Sequence, residues 1–224
     1  MVSALVIGAS ACGSDGGHFD GKEPAEIAEE ARKSMLTLTS MTLEAEVTNG
    51  DSTTEMKTSF TEEGECNGTI VLDGAEAEFL SVGGNTYFKA TDAFWDAEGQ
   101  DGAAMNALIN GRWILYPEGQ SNYEAFCSME SFLSDLEESD TEDKDWKSID
   151  GEKVNGTTAV GVSRTDEDGT SNIYIADAKD AYILKMTNDG EGGGNALFTD
   201  FNKKFKFEAP AEDEVVDFAA LQQS

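Results

Sequence analysis

Leu43-Glu-Ala-Glu-Val-Thr-Asn-Gly-Asp-Ser-Thr-Thr-Glu-Met-Lys-Thr-Ser-Phe60 reads as two strands and the turn between them. Leu43, Ala45 and Val47 alternate with Glu44 and Glu46, and Thr54, Met56, Thr58 and Phe60 alternate with Glu55, Lys57 and Ser59. A period of two with one polar face marks half-buried antiparallel strands. Asn49-Gly50 supplies the positive φ angles that a tight hairpin needs.

The pattern continues outward. Asp73-Gly74 and Gly83-Gly84-Asn85 are further turn signals, and they bound strands near 66–72, 75–82 and 85–90. On the N-terminal side, Pro24 opens a helix in which Ile27, Ala31, Met35 and Leu38 recur at helical spacing. On the C-terminal side an insert, 91–138, carries Phe94, Trp95, Trp113, Tyr116, Tyr123, Phe126 and Phe132. Two of its pieces look helical, 101–110 and 122–138, the second with Phe126, Met129, Leu133 and Leu136 along one face. An acidic loop, Glu137 to Asp145, follows.

From Trp146 the meander resumes. Asp150-Gly151, Asn155-Gly156, Asp168-Gly169 and Asp189-Gly190 read as turns. Thr158-Val160-Val162, Ile173-Ile175 and Tyr182-Leu184-Met186 read as inward faces. Leu197 to Phe207 reads as a last long strand, Pro210 ends it, and a short helix over 214–221 closes the chain. Helix, strands, helical insert and strands together give an α+β class: one strongly curved antiparallel sheet with helices on its concave side. Nothing resembles a linker between domains, so 24–224 is read as one domain.

Before that domain lies Val2-Ser-Ala-Leu-Val-Ile-Gly-Ala-Ser-Ala-Cys12, followed by Gly13-Ser-Asp-Gly-Gly. Small residues directly before a cysteine, then a polar Gly/Ser stretch, resemble a bacterial lipobox. The apolar run is too short to span a bilayer and has the length of a signal core. The resemblance implies that 1–11 is a signal segment, that Cys12 carries the lipid, and that 12–23 is a flexible tether. It places the protein on the extracytoplasmic face of the cell membrane. A signal segment opens on basic residues, whereas the first cation here is Lys22, so the true start is expected upstream.

Charge narrows the function classes. The formal net charge is −30, from 45 acids against 15 bases. Nucleic acid is excluded as a partner, because binding it needs Lys and Arg to displace counterions. Beyond Cys12 there are Cys66 and Cys127, and an even pair in an exported protein reads as a disulfide, the alternative being two buried thiols. No metal site is expected from two thiols and one histidine, His18.

No catalytic constellation is visible. His18 lies in the tether, so Ser-His-Asp and Cys-His arrangements lack a base in the domain. Gly190 to Gly194 is not followed by Gly-Lys-Ser/Thr and reads as a hairpin loop. Asp166-Glu-Asp168-Gly169 lacks the closing glutamate of a calcium loop and reads as a turn. The chain is therefore read as a non-enzyme without a cofactor.

Several fragments in order resemble the LolA/LppX-like fold of actinobacterial cell-envelope lipoproteins. They are Leu38-Thr39-Ser40 after the helix, Gly84-Asn-Thr-Tyr-Phe-Lys89, Phe94-Trp95, Gly111-Arg-Trp113 before Pro117, and Phe198-Thr-Asp-Phe201 before Ala209-Pro210. The resemblance implies an unclosed half-barrel whose concavity shelters acyl chains. Relatives of this kind carry lipoproteins or acylated glycolipids, while others are envelope sensors. The Cys66/Cys127 pair is not part of that pattern, and a disulfide there would restrict opening of the cavity.

Alternation puts Val47, Met56 and Phe60 on the concave face. With Phe79, Tyr87, Phe94, Trp95 and Trp113 they form the candidate ligand-binding set. Two readings stay open: a carrier of an acylated lipid or lipoprotein, or an anchored module with a filled core that binds an envelope protein. Sheltering a fifteen-methylene chain is worth ~12 kcal/mol gross, which makes a carrier energetically feasible.

Overall fold

Proline in the first turn starts α1 (Pro24–Met35), and the Glu26 carboxylate accepts the Glu23 backbone N–H at 3.0 Å to close its end. The computed structural model describes residues 16–116, 119, 121, 126–138, 145–167, 169–217 and 219. The lipobox with Cys12, Tyr123 with the start of the second insert helix, most of the acidic loop, Asp168, and residues 218, 220 and 221 of the expected last helix lie outside the described residues, as does the side chain of Leu136.

After α1 the first meander is β1 (Ser40–Asn49), β2 (Ser52–Thr61), β3 (Cys66–Leu72), β4 (Ala75–Val82) and β5 (Asn85–Ala90). Asp73 and Gly74 take φ of 50° and 85°, the conformation a two-residue hairpin demands. Then come α2 (Asp92–Ala97), α3 (Gly102–Ile109), β6 (Trp113–Tyr116) and α4 (Met129–Glu138). The second meander is β7 (Lys147–Val154), β8 (Thr157–Asp166), β9 (Gly169–Ala176), β10 (Ile183–Asn188) and β11 (Gly194–Thr199), and β12 (Val215–Asp217) is last.

Among the described residues, the twelve strands form one unclosed sheet, ordered β12-β6-β5-β4-β3-β2-β1-β11-β10-β9-β8-β7. The two meanders are joined where β1 pairs with β11, and among the described strands only β12 on β6 is parallel. Registers align Phe198, Leu43, Thr58, Gly68, Phe79, Phe88 and Ile114 in one row on the helix-covered face. Gly68 is required there: a Cβ would sit 2.4 Å from the Phe79 ring. The opposite row is Leu197, Glu44, Lys57, Thr69, Glu78 and Lys89. This is the curved α+β sheet with helices on the concave side that the sequence predicts.

Several local expectations are corrected. Leu197 to Phe207 is not one strand: β11 ends at Thr199, where Asp200 and Asn202 take φ of 54° and 55°. From there the chain crosses the convex face to become β12 on the far side of β6. Seven inter-strand steps at about 4.8 Å need about 34 Å, and residues 200–214 can span about 50 Å when extended. Phe205 and Phe207 stack on each other along this strap, with centroids 5.8 Å apart, so their alternation comes from lying on a sheet rather than in one. Residues 215–217, expected to be helical, are strand β12.

Asp150-Gly151 is a bulge within edge strand β7, not a turn, and a Cβ at Gly151 would sit 2.3 Å from the Ala159 carbonyl oxygen. A second bulge between Ile183 and Lys185 splits Tyr182-Leu184-Met186. Leu184 packs with Val154, Ala159 and Ala176, while Ile183 and Met186 face the main core. Thr158 is exposed, whereas Val162 is fully buried. Residues 92–97 and 113–116 form a helix and a strand that the sequence pattern does not announce.

Candidate functional site

The helix-covered face divides into a filled half and an open half. Over β3 to β6 the filling is aromatic. Phe79, Phe88, Phe94 and Trp95 are each no more than 2% exposed. Phe88 lies 5.7 Å from Phe94 and 5.6 Å from Trp95 between ring centroids. The Thr91 hydroxyl accepts the Phe94 N–H and starts α2, which presses these rings onto the sheet.

Over β1, β11 and β10 the face is open. Leu43, Ala45, Val47, Ala196, Phe198, Met186 and the Gly192–Gly194 turn line a groove of about 310 Å³, with Phe132 of α4 on its far wall. Its lining is almost wholly apolar. The groove exists because small residues stand opposite each other: Ala45 pairs with Ala196, and Val47 with Gly194. Phe132 packs on Phe198 with centroids 5.5 Å apart, so α4 closes one side. Val47 is 41% exposed, a large apolar side chain left in the open.

The expected ligand set is divided by this arrangement. Val47 borders the groove, and Met56 stands on the same face beside Ala45. Phe60, Phe79, Phe94 and Trp95 are buried filling. Tyr87 and Trp113 stand on the convex face, in register with Leu80 and Leu115 and with Val215 respectively. Adjacent residues of a strand must face opposite ways, so Phe88 inward puts Tyr87 outward. Trp113 lies under Lys89, at 5.7 Å, and shares a convex hollow with Phe207 of the strap. The lining residues missed were Leu43, Ala45, Phe132, Met186, Ala196 and Phe198. Alanine and glycine at successive inward positions were the signal: an inward face without bulk leaves space.

Cys66 and Cys127 are joined as a disulfide, with Cα atoms 5.3 Å apart. It fixes the segment entering α4 to the start of β3. At that end of the sheet the N-terminal stretch is also held. Phe19 is buried in the core, and its N–H donates to the Asp177 carboxylate at 3.2 Å. Lys22 and His18 both hydrogen-bond Glu30 of α1 and together hold its carboxyl below the ordinary range. Residues 17–22, expected to be tether, are thus packed on the domain.

No family model matches the sequence, and no curated relative matches it. Solved structures do. LprF from Mycobacterium bovis matches with a TM-score of 0.57 at 13% identity, covering 84% of this chain and 97% of its own. The Mycobacterium tuberculosis lipoprotein LppX matches with a TM-score of 0.52 at 11% identity, covering 82% of this chain and 97% of its own. At such identity the likeness is one of fold, and the fold is the LppX-like half-barrel expected from the sequence. Among the described residues, no helix is long and apolar enough to cross a membrane.

Proposed function

We propose that this chain is an exported lipoprotein, anchored through Cys12 on the extracytoplasmic face of the membrane, that binds an acyl chain in the groove between β1, β10, β11 and α4. Residues 1–11 are the signal segment, the free tether is short, and 24–224 is the binding domain. The observation that carries the binding role is the open apolar groove of about 310 Å³. That is at the low end of small-molecule pockets, about 300–1,000 Å³, so it suits a length of one acyl chain rather than several. The LppX-like fold supports the reading, since LppX is itself described as a lipoprotein. The sealed aromatic half favours the second reading, a lipid-free module that binds an envelope protein.

A fluorescent fatty acid separates the two. Ala45→Trp and Ala196→Trp fill the groove without entering the sealed half. Each is expected to abolish probe binding while the thermal midpoint moves by only a few degrees, because the added rings occupy open space. Wild-type protein that takes up no probe would leave the protein-binding module. For the anchor, Cys12→Ser is expected to release the protein from the membrane fraction. Intact mass of wild type without added acyl chains would overturn the anchor.

A further inference from the structure

The groove and the N-terminal attachment lie at opposite ends of the sheet. Gly16 to Phe19 dock beside Asp177, just after β9, at the end where β1 begins at Ser40 and β11 stops at Thr199. The groove runs the other way, through Val47 and the Gly192–Gly194 turn to Ser171 near the start of β9. From Ser171 to Asp177 is about 20 Å at the rise of a strand. Cys12 stands four positions before Gly16, a reach of at most about 14 Å. An acylated Cys12 therefore holds the Asp177 end against the bilayer and turns the groove mouth outward.

The turns around that mouth carry one sign of charge. Asp51, Asp73, Glu167, Asp189 and Glu191 belong to them and are exposed, Asp166 is paired with Arg164 at 3.8 Å, and no lysine or arginine lies in 50–51, 73–74, 166–169 or 189–193. Bonds from the Thr53 N–H and the Ser52 hydroxyl hold the Asp73 carboxyl below its usual range, so it stays ionised. Anionic headgroups repel such a rim, and a basic protein surface is attracted to it.

We infer that the groove mouth is a docking surface for a partner protein that presents lysines or arginines around an apolar chain, standing away from the anchoring membrane. This rests on the groove binding acyl chains and on acylation of Cys12. The ligand then passes between this protein and a soluble or opposing partner, not between the groove and its own bilayer.

Two measurements test it. The first uses acylated protein in phosphatidylcholine vesicles containing phosphatidylglycerol and an acceptor dye in the bilayer. A donor fluorophore is placed, through a non-natural amino acid, at position 51 or at position 179. Transfer from 179 is expected to exceed that from 51 several-fold, and equal or reversed transfer overturns the orientation. The second compares a palmitoylated tri-lysine peptide with a palmitoylated tri-glutamate peptide. The tri-lysine form is expected to bind at least tenfold more tightly. Asp51→Lys, Glu167→Lys and Glu191→Lys together should remove most of that preference, whereas Glu62→Lys, Glu63→Lys and Glu65→Lys at the other end should remove little. Equal loss from both sets would mean that net charge alone acts, and would overturn the docking surface. Failure of both peptides and of free fatty acid to bind would instead overturn the groove itself.

Discussion

Phe88→Ala is expected to lower stability by about 3–5 kcal/mol, the cost of truncating a fully buried aromatic. Phe88 is 0% exposed and sits between Phe79 across the sheet and the Phe94 and Trp95 rings of α2. Removing the ring leaves a void that the neighbours cannot close, because Phe79 is pinned against Gly68 and α2 is short. For a domain of this size the thermal midpoint should fall by about 6–20 °C. Leu108→Ala is the comparison: Leu108 is 48% exposed, and the change should stay within about 0.5 kcal/mol. A Phe88→Ala protein that melts with wild type would mean that the aromatic half is loosely packed, and the division into a sealed and an open half would fall.

That division was only partly legible in the sequence. The β1–β2 hairpin was plain, since its polar face is water-exposed and charged, so period two stands out. Asp73-Gly74 and Asn155-Gly156 were equally plain, because both turns need positive φ at two residues in succession. Strand β6, Trp-Ile-Leu-Tyr, shows no alternation because apolar side chains stand on both of its faces. The strap that shares a hollow with Trp113 and Leu80 arrives from far along the chain. For that reason Tyr87 and Trp113 resemble concave residues when read by type alone. The bulges at Gly151 and after Ile183 were hidden for another reason. A single extra residue inverts every later side chain, and nothing in residue type marks where it falls.

Loss of the disulfide is expected to reach both stability and the groove. Cys66 and Cys127 close a loop across a separation of 61 residues. On the chain-entropy account, a loop of that length contributes about 4 kcal/mol. The Cys66→Ala, Cys127→Ala double variant should therefore melt well below wild type, and treatment of wild type with a reductant should reproduce the shift. The position of the bond predicts a second effect. Cys127 stands two residues before α4, whose Phe132 packs on Phe198 and walls the groove. Without the bond, α4 keeps the anchor of Met129, which is 1% exposed, but loses its covalent tie to β3. Amide exchange in 129–138 should then rise by an order of magnitude or more relative to β1 and β2, which the bond does not touch. A bound fatty-acid probe should leave faster, because the wall that retains it moves. Uniform loss of protection across the sheet, with an unchanged release rate, would make the bond a general staple and not the hinge-pin of α4. An unchanged melting temperature would show that the tie between β3 and the segment entering α4 adds nothing to the stability of the fold.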